Sequence, residues 1–400
     1  MNDCCVIGLG YVGLPTAALV SNAGLKVLGV DINQKIVDSI NRGDLHIKEP
    51  NLKELVLENI KRSNLKISDS PDSSKIFIIA VPTPIYYEES IPKADLRYVF
   101  AAISSILNLL KRDNIIIIES TCPIGTTEEI GDFIQNNTNF EKDEIHLAYC
   151  PERVLPGQII KELRYNNRIV GCSNDKYGKI IKEFYESFCE GEIILTKIKG
   201  AEFIKLAENS YRDLNIAFAN ELSMISDKLD LDINELIKLA NLHPRVNILK
   251  PGCGVGGHCI PIDPWFLISK FPNESKLIKK AREVNQEKIN WVITKIENHI
   301  IKNNNKYLNQ FKIGIFGLSF KPNVDDYRES PSITIIKKLK EKYNLLICDP
   351  NIKYHPELKL TTIQDTLDKS DLLIFLVAHK QFKNIDLSKS QYLDFCHLND

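Results

Sequence analysis

Four hundred residues exceed one ordinary domain, and at roughly 150 residues per domain the length suggests two or three. The 51 basic side chains nearly cancel the 52 acidic ones, leaving −1, which argues against a nucleic-acid binder held by bulk electrostatics. With 44% apolar and 26% charged residues the chain can bury a real core, and neither disorder nor a collagen-like repeat fits it. In chain order, apolar runs at Cys4–Ile7, Lys26–Val30, Ile76–Val81, Ile115–Ile118 and Ile145–Ala148 alternate with amphipathic stretches, the pattern of a parallel sheet flanked by helices. After Gly200 the character changes. Ala201 to Asp230 holds neither Gly nor Pro, and Ile204, Ala207, Tyr211, Leu214, Phe218, Leu222, Ile225 and Leu229 recur at helical spacing, which predicts one long helix. A second helical zone, Ser275 to about Ile301, follows a Gly/Pro-rich loop, and Asn303–Asn305 has the character of a linker. Lys312–Gly317, Leu345–Cys348 and Leu372–Val377 again predict buried strands. The plan is α/β, then α, then α/β: two Rossmann-like doubly wound domains joined by a long-helix central domain, with boundaries at 1–198, 199–305 and 306–400.

Gly8-Leu9-Gly10-Tyr11-Val12-Gly13 follows a strand and opens a helical segment, and the acidic Asp31 ends the next strand. In that order Gly8 permits a tight turn, Gly10 lets backbone N–H groups approach a pyrophosphate, and Gly13 lets helix and sheet pack closely. The helix N-terminus offers unpaired donors to the phosphates, so Gly8, Gly10, Tyr11, Val12 and Gly13 are expected to contact a dinucleotide. Asp31 would accept hydrogen bonds from an adenosine ribose and repel a 2′-phosphate, favouring NAD over NADP. Thr83 and Thr121 close two later strands, where open parallel sheets bind ligands; each also suits a helix cap or turn.

The stretch from Lys250 to Pro264, KPGCGVGGHCIPIDP, puts four glycines within six residues beside a thiol, Cys259, and a carboxylate four residues on, Asp263. Such a loop can approach a ligand closely, and a reactive cysteine needs thiolate character and access. Cys253 has no nearby acid partner and is expected to be structural. The remaining ligands of a Cys/His metal site are missing, so no metal is expected. On the long helix Lys205 and Asn209 are four apart and share a face, with Glu208, Arg212 and Asn220 nearby. The ten cysteines lack the spacing of a secreted disulfide framework and are expected to be reduced, mostly buried cytosolic thiols. No stretch approaches about 18 uninterrupted apolar residues, so no membrane span is expected. The N-terminus lacks the basic start and cleavage site of a secretory leader.

Six ordered motifs carry a resemblance over nearly the whole chain: GLGYVGLP at Gly8–Pro15, ESTCPIGTT at Glu119–Thr127, CPERVLPG at Cys150–Gly157, EFIKLAENSYRDLNIAFANE at Glu202–Glu221, HPRVNIL…GCGVGGHCIPIDPW at His243–Trp265, and FGLSFKPNVDDYRESPS at Phe316–Ser332. The chain resembles the UDP-glucose/GDP-mannose 6-dehydrogenases. The resemblance implies a four-electron oxidation. The primary alcohol of a UDP-sugar gives hydride to NAD, and Cys259 captures the aldehyde as a thiohemiacetal. A second NAD takes hydride from that adduct, and water hydrolyses the resulting thioester to the uronate. It also implies Lys205 as proton donor and acceptor, Asn209 as a holder of the sugar or an ordered water, and Asp263 or Glu152 as the activator of water. Thr121 would position that water or touch the nicotinamide. Substrate contacts are implied for Arg153, Val154, Arg212, His243, Arg245, Gly256, Phe320 and Lys321, and Arg328 would reach the cofactor from the second α/β domain. Arginines suit a diphosphate because their planar fork can donate two hydrogen bonds. The long helix resembles the family's dimer core, so a homodimer or larger homo-oligomer is expected, in the cytoplasm, with no nucleic-acid or membrane partner.

PERVLPG and HPR resemble the branch acting on UDP-N-acetyl-D-mannosamine, with UDP-N-acetylglucosamine or UDP-glucose as the runner-up substrate. Cys253 departs from a position where proline is common, and the finish Cys396-His397-Leu398-Asn399-Asp400 departs from the family's glycine-bearing end. Two competing readings are a simple alcohol dehydrogenase, which leaves the Cys259 loop unexplained, and a catalytically silent NAD or nucleotide-sugar-binding regulator.

Overall fold

A computed structural model describes residues 1–87, 91–303, 311–388 and 390–398. The chain forms two compact units, Met1–Ala207 and Glu208–Asp400. In the first, strands β1 (Asn2–Ile7), β2 (Val27–Val30), β3 (Leu65–Ser68) and β4 (Ser74–Ile79) precede a small hairpin of β5 (Ile85–Tyr86) and β6 (Lys93–Ala94). Then come β7 (Asn114–Ile118), β8 (Ile145–Tyr149), β9 (Arg168–Cys172) and β10 (Ile193–Thr196). Eight of these form one sheet in the order β10-β9-β8-β7-β4-β1-β2-β3. Its pairings are parallel, except that β9 runs antiparallel to β8.

Strand side chains alternate between faces, and here both faces are covered. Cys4, Val6, Ile76, Ile78, Ile115 and Ile117 enter one core, whereas Cys5, Ile7, Phe77, Ile79, Ile116 and Ile118 enter the other. That is why these strands are nearly continuous apolar runs instead of alternating ones.

The second unit holds a parallel four-stranded sheet of β11 (Lys312–Phe316), β12 (Asn344–Cys348), β13 (Leu372–Phe375) and β14 (Tyr392–Asp394), ordered β12-β11-β13-β14. Its faces divide in the same way, with Ile313, Ile315 and Ile374 in one cluster and Phe316, Leu373 and Phe375 in another.

The long helix spans Ile198–Lys228, starting before the expected Ala201 and running through Gly200. A glycine in a first turn weakens a 31-residue helix too little to set its boundary. The later helix is Lys276–Asn303. Of the expected linker, Asn304 and Asn305 lie outside the described residues, as do Asn399 and Asp400 of the C-terminal finish. The strands expected to end at Val81, Gly317 and Val377 stop at Ile79, Phe316 and Phe375, where the chain turns into loops. Among the described residues no helix is long and apolar enough to cross a membrane.

Candidate active site

In the first unit, β1 runs into a turn at Gly8, whose φ of 95° is in the left-handed region glycine tolerates. A Cβ on Gly13 would stand 1.8 Å from the Gly8 carbonyl oxygen, so helix Gly13–Asn22 can start this close to the strand only with glycine there. Gly10 differs: a Cβ there meets nothing within 4 Å. The chain itself does not require its small size, whereas a ligand lying against its backbone would. The Asp31 carboxylate follows β2 and accepts the N–H groups of Leu9 at 3.0 Å and Asn33 at 2.9 Å, so it is aimed at the glycine turn. These features fit a dinucleotide. Tyr11, Val12, Thr83 and Thr121 are at the ends of the same parallel strands or at the helix start, Thr83 and Thr121 half-buried.

The loop after β7 is held by a residue that sequence reasoning passed over. Glu202, fully buried on the long helix, accepts hydrogen bonds from the Gly125 N–H at 2.5 Å, the Thr127 N–H at 2.9 Å and the Thr127 hydroxyl at 2.7 Å. Burial still outweighs those three donors and raises its carboxyl above the ordinary range. One turn on, the buried Lys205 donates from Nζ to the Glu152 carbonyl at 2.6 Å. The loop carrying Arg153 and Val154 is pinned by Glu49, which accepts from the Gly157 and Ile159 N–H groups, both at 2.7 Å. Arg153 donates to the Asn167 carbonyl, and Val154 packs against the core. Glu49 has no sequence signal, being one acid among many. Glu202 stands inside a quoted motif, and a lone carboxylate on a buried helix face was the available hint.

In the second unit, Cys259 sits on the turn that enters helix Asp263–Lys270. Its carbonyl accepts the N–H groups of Ile262 at 3.0 Å and Asp263 at 2.8 Å. The buried Asp263 carboxylate takes a short hydrogen bond from the Asn209 amide, so the long helix clasps the cysteine turn. The start of the glycine loop is tied to the same helix: Asn220 accepts the Gly252 N–H at 2.8 Å and donates to Asn285 at 2.9 Å. Gly256 and Gly257 lie against Phe320; a Cβ on Gly256 would come within 2.7 Å of the Glu329 carbonyl oxygen and 2.9 Å of the Phe320 Cβ. The Gly257 N–H donates to the Arg328 carbonyl at 3.2 Å, which joins the cysteine loop to the FGLSFKPNVDDYRES segment.

Within that segment Lys321 is held below its ordinary value by burial and by the nearby Arg212 charge. Two neighbouring positive charges attract an anion more strongly than either alone. Arg328 forks onto Asp326, with its Nη2 at 2.6 Å. Burial works against the Asp326 carboxylate, yet those bonds keep it below the usual range. Cys253 is buried, its thiol donating to the Leu376 carbonyl at 3.6 Å and pushed up to about 12 by burial. His243 and Arg245 are elsewhere, exposed on the loop after helix Ile233–Ala240, where His243 Nδ1 accepts the Arg245 N–H at 3.3 Å. Beyond that mutual bond, neither is hydrogen-bonded to a predicted site residue among the described residues.

The two sheets repeat one device. Asp349, following β12, accepts the N–H groups of Leu318 at 2.7 Å and Ser319 at 3.2 Å, as Asp31 accepts that of Leu9. Here, though, His379 fills the adjoining space, 3.1 Å from Asp349, and both side chains are fully buried. That acid fixes the loop carrying Phe320 and Lys321.

Residues 2–189 match the NAD binding domain of the UDP-glucose/GDP-mannose dehydrogenase family, residues 199–287 its central domain and residues 314–393 its UDP binding domain. The chain belongs to that family. It is a nucleotide-sugar dehydrogenase that uses NAD. It is 47% identical to a UDP-N-acetyl-D-mannosamine dehydrogenase of Campylobacter jejuni over 99% of both chains. It is 42% identical to an NDP-N-acetyl-D-galactosaminuronic acid dehydrogenase of Ralstonia nicotianae, over 96% of this chain and 93% of that one. Among solved structures, a UDP-D-ManNAc dehydrogenase from Pyrococcus horikoshii superposes with a TM-score of 0.93 at 34% identity, covering 100% of this chain and 96% of the other.

Proposed function

We propose that this enzyme oxidises the C6 primary alcohol of UDP-N-acetyl-D-mannosamine to the uronate, with Cys259 as the covalent catalyst. The observation that carries the reaction type is the Cys259–Asp263 turn clasped by Asn209; the sugar follows the C. jejuni and P. horikoshii relatives. The Gly8–Gly13 turn and Asp31 would hold NAD, which would supply the hydride acceptor for both oxidations. Lys205, held at the Glu152 carbonyl, takes the alcohol proton and stabilises negative charge on oxygen. Cys259 adds to the aldehyde carbon, forming a thiohemiacetal that becomes a thioester on losing a hydride to a second equivalent of NAD and its hydroxyl proton to a base. Water attacks the thioester, activated by Asp263 or Glu152 and steered by Asn209 and Thr121, and releases the uronate and the thiol. Arg212 and Lys321 hold the diphosphate, with Arg153, Val154, His243, Arg245, Gly256 and Phe320 completing the substrate contacts and Arg328 touching the cofactor. The parts are arranged as 1–198 for cofactor, 199–305 for the cysteine loop and dimerisation, and 306–400 for UDP. The enzyme works in the cytoplasm as a homodimer; none of its ten cysteines is in a disulfide, which suits a reducing compartment.

The R. nicotianae relative supports a second sugar, UDP-N-acetyl-D-galactosamine. A panel of UDP-sugars decides both questions. The proposal expects two NADH per UDP-N-acetylmannosamine consumed and no net uronate from Cys259→Ser. One NADH per turnover in the wild type would refute the covalent route, and faster turnover of UDP-N-acetylgalactosamine would move the substrate assignment.

A further inference from the structure

The first unit buries a cation that neither the family motifs nor the proposed chemistry uses. Arg168, 4% exposed, opens β9. The antiparallel register pairs Tyr149 with Gly171 and Ala148 with Cys172, and continued past the end of β8 it sets Arg168 across from Glu152. The guanidinium is there, with Nη1 3.1 Å from the Glu152 carboxylate and 3.9 Å from that of Glu119. It lies over the rings of Tyr185 and Phe188, at 4.9 Å and 5.6 Å from their centroids, and touches the Cys150 sulfur at 3.8 Å. Glu152 is thereby held at three points: its carboxylate faces Arg168 and accepts the Arg153 N–H at 2.7 Å, and its carbonyl accepts Lys205 Nζ.

We infer that Arg168 is a positioning residue for the dehydrogenase reaction, fixing the Glu152 peptide whose carbonyl accepts from Lys205 Nζ. The inference rests on the proposed reading in which Lys205 moves the proton. A buried guanidinium needs a reason to be there, because desolvating it costs several kcal/mol. A sheet strand could fill this space with an apolar side chain at no such cost. One cation faces two carboxylates here, and Glu119, wholly enclosed, also takes hydrogen bonds from the Tyr185 hydroxyl at 2.8 Å and the Thr16 hydroxyl at 3.4 Å. Glu119 therefore has neutral partners of its own, while Glu152 has Arg168 as its charged partner. Misplacing a catalytic amine by even about 1 Å can cost roughly 100-fold in rate, so a rigid mount for the Glu152 carbonyl has a kinetic consequence.

A double-mutant cycle on the full-length enzyme, reading the first NADH released from UDP-N-acetylmannosamine, tests this. Arg168→Lys should lower kcat at least about 10-fold with both KM values within about 3-fold, and on a Glu152→Gln background it should lower kcat no further. Phe188→Leu, which removes one supporting ring, covers the case in which Arg168→Lys does not fold: it should lose about 2- to 5-fold with the same non-additivity. Independent, multiplying losses, or a lowered melting temperature with kcat per folded molecule intact, would make the arginine merely structural. The functional reading fails separately, through one NADH per turnover in the wild type.

Discussion

Gly10 and Gly13 belong to one fingerprint but should fail for different reasons. Ala at position 13 would place its Cβ 1.8 Å from the Gly8 oxygen, so the helix must move and the whole unit should lose at least about 2 kcal/mol of stability. Ala at position 10 meets nothing within 4 Å. Gly10→Ala should leave denaturation within about 0.5 kcal/mol of wild type while weakening NAD roughly 10-fold, read by fluorescence titration. Equal loss of stability in both would show that Gly10 serves the fold. A second residue, Glu119, reports on pH. Burial raises its carboxyl from 4.5 to about 7, against the pull of Arg168. A folded-state value above the unfolded one means that the associated stability is fully present below pH 4.5 and is lost as pH rises through about 7. Relative to Glu119→Gln, the wild type should lose about 1–3 kcal/mol between about pH 5 and about pH 8, since a tenfold change in proton affinity is worth about 1.4 kcal/mol. Parallel urea-denaturation series with a constant gap would show that this carboxyl titrates normally.

At the scale of elements, helix Thr126–Asn137 begins at Gly125 without a cap of its own, and Glu202 from the long helix supplies the missing acceptor. Glu202→Ala leaves two backbone N–H groups and a hydroxyl unsatisfied in a closed space, which should cost about 2–4 kcal/mol in thermal or urea unfolding. A cost under about 1 kcal/mol would mean that water takes the carboxylate's place. This contact also shows where sequence reading stops. The central strands β1, β4, β7 and β8 were legible because two buried faces demand unbroken apolar runs. Strands β9, β10 and β14 were not: β14 is three residues long, β10 exposes Ile194 and Leu195, and β9 opens on a buried arginine that breaks the pattern. The cysteine loop was legible as chemistry because four glycines beside a thiol and an acid are rare together. Its clasp by Asn209 and the Arg168–Glu152 contact were not, since each joins residues 16 to 54 positions apart through packing that no local spacing encodes.

For the whole molecule, the unfinished part is a surface. Tyr211, Phe218 and Ile225, seven residues apart, stand 70%, 49% and 50% exposed on the long helix, and Leu229 follows at 62%. A seven-residue repeat of large apolar side chains keeps one stripe of a helix facing a partner, as in any helix–helix seam. Beyond it Leu236, Leu239 and Leu242 continue the exposed apolar surface. Left in water, each side chain forgoes roughly 1.5–3 kcal/mol of burial, and a soluble monomer seldom tolerates that over so many neighbours. A second copy of the chain is the occupant we propose, because a helix with such a repeat can pack against itself about a two-fold axis. Sedimentation should therefore give a mass of at least twice 45.5 kDa for the wild type. Phe218→Glu, which would bury two carboxylates near the seam's axis, should take the enzyme to the single-chain mass with its secondary structure retained. If Phe218→Glu keeps the wild-type mass, the stripe is not the seam; if the wild type already sediments at 45.5 kDa, the homodimer itself is excluded.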